Sequence, residues 1–103
     1  MSSSKFFSKI VKLDCRNRLN VRGFFEEGDW VAIRRLDNGS ICLDKIELDN
    51  IIYIGKVNKN FKIKLSKDAV ETLMNILNSD GNRYFIIVKM GDKVLIGKPD
   101  IHV

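Results

Sequence analysis

The chain is 103 residues long, 45% hydrophobic and 30% charged, with a formal net charge of +5. This length suits one small domain with one modest core, and the composition excludes a disordered chain. No apolar run is long enough to cross a bilayer as a helix, and "MSSSKFFSKIVK" lacks the continuous apolar stretch of a secretory signal, so a cytoplasmic protein with no membrane partner is expected.

In chain order, Ile10–Leu13 reads as a strand and "DCRN" as a turn. Residues Arg18–Arg22 then alternate, with Leu19 and Val21 on one face and Arg18, Asn20 and Arg22 on the other. The connection "GFFEEGD" leads to the strand "WVAIRRL". Trp30 and the Phe24-Phe25 pair are expected as core or interface plugs, and Glu26, Glu27 and Asp29 as a solvated turn. Asn38-Gly39 between β-rich runs is a strong hairpin signal and turns the chain into "SICLDKI".

The second half begins with the strand "IIYIGKV" and a turn at "NKN". In "FKIKL", alternation puts Phe61, Ile63 and Leu65 inward and Lys62 and Lys64 outward. A helix over about 67–79 follows, with Ser66 as N-cap and Asp68 in its first turn. Val70, Leu73, Met74 and Leu77 form its core stripe, and Gly81 is placed to stop it. "RYFIIVKM", a Gly91-Asp92 turn and "KVLIG" make the second hairpin, which Pro99 ends.

The two halves repeat one pattern. At a spacing of 44, Lys12-Leu13-Asp14 meets Lys56-Val57-Asn58, Arg18-Leu19 meets Lys62-Ile63, and Val21 meets Leu65. At a spacing of 53, Gly28-Asp29 meets Gly81-Asn82, and Ile41 meets Val94. A nine-residue insertion in the second copy, the helix, reconciles the spacings. The expected organisation is a single domain, residues 1–103, from repeats over about 9–47 and 51–101. One copy alone cannot cover its apolar face, so both share a core.

Charge follows the same division. From Lys5 to Arg22 there are six basic residues and one acid; from Lys56 to Lys67 there are five lysines and no acid. The remainder carries seven basic and twelve acidic side chains. An acidic body with two basic segments focuses attraction on a phosphate backbone. Cys15 and Cys42 have no CxxC or Cys/His context and read as free thiols, and His102 is the only histidine. With no phosphate-cradling glycine loop, nucleophile elbow or metal-ligand spacing, neither an enzyme nor a cofactor or metal is expected.

"KLDCRNRLNVR…EEGDWVAIRRLDNGSICLDKI" resembles the AbrB/SpoVT/MraZ swapped-hairpin superfamily. Asp14 and Arg18 match its Asp-x-x-x-Arg motif, Leu19 and Val21 its alternating strand, and Glu27-Gly28-Asp29 with Val31 the approach to its hairpin. Arg22 stands where the family has proline, and the second copy carries Asn58-x-x-x-Lys62 and Asp80-Gly81-Asn82 instead. The resemblance implies a mainly β fold with one helix, a pseudo-dimeric swapped-hairpin barrel from two tandem repeats. It also implies a DNA-binding transcription regulator whose first strand-and-turn arginines face the duplex.

The expected function is therefore double-stranded DNA binding through two basic strand–turn segments. The binding residues are Lys12, Arg16, Arg18 and Arg22 in the first and Lys56, Lys59, Lys62 and Lys64 in the second, with Asp14 orienting Arg18. Arginine can fork onto guanine or phosphate whereas lysine is a point charge, so the first segment should carry more sequence readout and the second more backbone grip. Of Arg34 and Arg35, which alternate faces, at most one can join this surface. A homodimer of the two-unit chain is compatible with the sequence. The alternatives are a protein-interaction module, such as an antitoxin, and RNA or single-stranded nucleic-acid binding, which would need aromatics on the basic strands.

Overall fold

A computed structural model describes residues 6–45, 49–79 and 81–99. The ends of both expected repeats, Asp80 and His102 lie outside the described residues. The chain is mainly β with one helix: β1 (Phe6–Lys12), β2 (Arg18–Asn20), β3 (Trp30–Arg35), β4 (Ile41–Asp44), β5 (Ile51–Lys56), β6 (Lys62–Lys64), α1 (Lys67–Leu77), β7 (Tyr84–Met90) and β8 (Lys93–Gly97).

Six strands form one sheet in the order β1-β7-β8-β4-β3-β5, and β2 pairs with β6 in a separate two-stranded ribbon. All ladders among the described residues are antiparallel. Apart from the hairpins β3–β4 and β7–β8, each ladder joins a strand of the first half to one of the second: β1 to β7, β2 to β6, β3 to β5 and β4 to β8.

The expected closed barrel is corrected by this arrangement. β1 and β5 end the large sheet, and among the described residues the ribbon does not ladder onto either.

Alternation fixes what faces the core. Val11, Val31, Ile33, Phe85, Ile87 and Ile96 point inward from the sheet, and Leu19 and Ile63 do so from the ribbon. Phe24 and Phe25 are buried as expected. Trp30 is not: it is 57% exposed at the first position of β3, because Val31 and Ile33 hold the inward phase. Gly55, buried on β5, has its missing Cβ filled by Ile63: an added methyl would lie 2.4 Å from Ile63 Cγ2.

Helix α1 follows its sequence signals at the start. Ser66 is extended and its Oγ accepts from Ala69 N–H at 3.1 Å, Asp68 lies in the first turn, and Ala69, Val70 and Leu73 are buried. It stops earlier than expected. Asn78, three residues before Gly81, caps it in the left-handed conformation at φ 53°, and its N–H reaches the carbonyls of Asn75 and Met74. Gly39, at φ 89°, supplies the hairpin turn between β3 and β4, where its N–H donates to Leu36 O at 2.9 Å.

Candidate nucleic-acid interface

The ribbon is built from two turns of identical bonding. Asp14 Oδ1 accepts from the N–H groups of Arg16 and Arg18, each at 2.9 Å. Asn58 Oδ1 accepts from Asn60 at 2.8 Å and Lys62 at 3.0 Å. Both are side-chain turns of the kind aspartate and asparagine favour. Asn17 and Phe61 close them in the left-handed region, both at φ 60°. Each strand is then tied to the opposite turn: Val21 N–H donates to Phe61 O at 2.9 Å and Leu65 N–H to Asn17 O at 2.8 Å.

This brings the two basic segments into direct pairing. Arg18 is opposite Lys64, Leu19 opposite Ile63 and Asn20 opposite Lys62. Because Leu19 and Ile63 are completely buried, Arg18, Asn20, Lys62 and Lys64 share the outer face. Arg16 and Lys59 are exposed in the two turns. Arg22 is exposed and its guanidinium lies 4.4 Å from the centre of the Phe61 ring, on the second turn. Phe61 is therefore half-buried beneath an arginine, not an inward strand residue, because the chain turns at it before β6 begins.

Two flanking pairs extend the surface. Lys12 Nζ sits 5.6 Å from the Tyr84 ring centre and Lys56 Nζ 5.8 Å from that of Trp30, with each lysine opposite its aromatic partner in a ladder. Tyr84 is 42% exposed. Sequence alternation alone did not indicate that these aromatics would stand outward beside the basic segments.

Asp14 lies among the cations. Its Oδ2 accepts from Arg18 Nε at 2.8 Å and is 3.6 Å from Lys62 Nζ across the ribbon. The Arg18 backbone N–H, then its guanidinium and the Arg16 N–H, hold the Asp14 carboxyl at about 2, well below the usual carboxylate range, against the opposing cost of desolvation. Arg83 braces the same turn from behind, donating from Nη2 to Asp14 O at 2.5 Å and to Asn17 Oδ1 at 2.7 Å. In the sequence it reads as the first residue of the strand "RYFIIVKM", whereas β7 begins one residue later and its pairing with β1 brings Arg83 to this turn. Arg34 lies elsewhere, on the large sheet, bound to Asp44 and to the Asp49 carbonyl.

Both cysteines are free, Cys15 exposed and Cys42 buried. Burial, reinforced by Asp44, pushes the Cys42 thiol up to about 11. Among the described residues, no group of three or more His, Cys, Asp and Glu side chains could hold a metal, and no helix is long and apolar enough to cross a membrane. No protein-family model matches the chain, and no curated protein matches it in sequence.

Proposed function

We propose that this chain is a double-stranded DNA-binding protein, acting as a transcription regulator, that grips the duplex with the β2–β6 ribbon and its two turns. The observation that carries this reading is the pairing of Arg18–Asn20 with Lys62–Lys64: two basic segments far apart in sequence become one outward-facing cationic surface. The interleaved pairing of first-half with second-half strands supports a swapped-hairpin arrangement of two tandem repeats. The matching turns at Asp14 and Asn58 support their equivalence. Arg16, Arg18, Arg22, Lys59, Lys62 and Lys64 make the principal contacts, Lys12 and Lys56 flank them, and Asp14 orients Arg18.

Fluorescence anisotropy against random duplex at several salt concentrations tests the proposal. If roughly six phosphates are neutralised, log affinity should fall against log salt with a slope near −5, from about 0.9 per phosphate. Arg18→Ala and Lys62→Ala should each weaken binding. A slope between about 0 and −1 would refute the grip.

A second reading, single-stranded nucleic acid, is favoured by the exposure of Trp30 and Tyr84 beside Lys56 and Lys12. Competition between single-stranded and duplex DNA of equal length separates the two, a duplex preference supporting the first.

A further inference from the structure

The backbone of the ribbon is two-fold equivalent, but its charges are not. A spacing of 44 carries each bond from the first turn's own backbone N–H groups onto the second. The same spacing passes through the Leu19–Ile63 pair at the ribbon's centre. Applied to the side chains, it keeps a cation at both positions only for Lys12 with Lys56 and Arg18 with Lys62. Arg16 corresponds to Asn60, and Arg22 to Ser66, whose hydroxyl is committed to capping α1. Lys59 corresponds to Cys15, and Lys64 to Asn20.

We propose, resting on the duplex reading above, that this interface is directional and seats on a non-palindromic DNA site in a single orientation. A two-fold protein on a palindrome makes the same contacts in both halves, and that requirement fails here at every cation position but those two pairs. Asp14 sharpens the difference. Its carboxylate holds Arg18 and draws Lys62 across the ribbon, so both central cations lean on the first turn. Asn58 spends its one oxygen on Asn60 and Lys62 N–H groups, and its other terminal group is a donor that cannot hold a cation.

The two ends therefore offer a duplex different chemistry. The first turn presents a forked guanidinium, Arg16, beside a fixed carboxylate that repels phosphate, which suits a guanine edge. The second presents Lys59 with no acid among its segment's lysines, which suits backbone phosphates. Reversing the duplex would exchange these partners.

The test uses the full chain and a duplex library with a randomised centre, selected for binding at low salt. Iron–EDTA is tethered to the exposed Cys15; Cys42, buried and with its thiol raised to about 11, stays unlabelled in the folded protein. The same reagent is tethered in a second protein, Asn60→Cys in a Cys15→Ser background, to mark the other turn. The expected result is a consensus that is not self-complementary, cut on one flank by the first probe and on the opposite flank by the second. The one-sidedness should be at least about five-fold, the lower end of what a single forked arginine–guanine contact discriminates. A self-complementary consensus with both probes cutting both flanks equally, or even cutting with no consensus, overturns directionality while leaving duplex binding intact. Failure to retain any duplex at low salt overturns the duplex reading, and this proposal with it.

Discussion

Gly55 offers the sharpest test of how the ribbon is seated. Its side-chain position points at Ile63, and a Cβ there would lie 2.4 Å from Ile63 Cγ2 and 3.3 Å from Tyr53 Cε2. Ile63 cannot yield easily: it is completely buried, and as a β-branched residue it has few χ1 wells to escape into. Gly55→Ala should therefore overpack the site and cost about 1–3 kcal/mol, a large part of a total stability of roughly 5–15 kcal/mol. Ile63→Ala removes the obstructing methyl and should alone cost about 2–5 kcal/mol. When the two are combined, the methyl added on β5 occupies part of the vacated space, so the double variant should lose less than the sum by about 1–3 kcal/mol. Urea unfolding of all four proteins, at constant m-value, measures the cycle. A Gly55→Ala protein within about 0.3 kcal/mol of the parent, or an additive cycle, would show that β5 and the ribbon do not touch as described.

Asp14→Asn should keep its turn, as Asn58 keeps the matching one, but lose the ion pairs to Arg18 and Lys62. Because the folded pKa, about 2, lies below the ordinary 3.8, the carboxylate's contribution is complete above the latter and disappears as pH falls through the former. The gap in urea midpoint between parent and variant should thus be present at about pH 5, much reduced near about pH 2 and closed only below it; a gap independent of pH would refute this assignment. Ellman's reagent should titrate one thiol, Cys15, in the folded protein and a second, Cys42, only in denaturant, because Cys42 is buried and its thiol is raised to about 11.

Much of the fold was legible where local chemistry decides it. Ser66 and the Val70/Leu73 stripe announced the helix, Asn38-Gly39 and Gly91-Asp92 the two hairpins, and alternation the burial of Leu19 and Ile63. Features set by distant parts of the chain were not. β1 begins at Phe6, well before its alternating stretch, because β7 pairs with its whole length. A left-handed phenylalanine has no sequence signature, and alternation alone therefore puts Phe61 in a strand. The expected spacing of 53 also needs amending. Trp30 and Tyr84, facing Lys56 and Lys12 in their ladders, are 54 apart, while Cys42 and Leu95, paired across β4 and β8, are 53 apart. Arg83, which braces the Asp14 turn, stands where the first copy has Asp29: its carbonyl accepts from Leu13 N–H as that of Asp29 does from Val57 N–H. The candidate site's cations were nameable from charge clustering alone, but the sharing of Asp14 by Arg18 and Lys62 depends on a cross-ribbon register that no local pattern encodes.

The interleaved ladders also dictate when the chain can fold. Among the described residues the sole sheet neighbour of β1 is β7, so during synthesis the first strand must wait, without that partner, until Tyr84–Met90 has left the ribosome. Nor could either half complete its sheet in isolation, since the outer strand of each is claimed by the other's hairpin. Two separately made fragments, cut between β4 and β5, should find order only by combining.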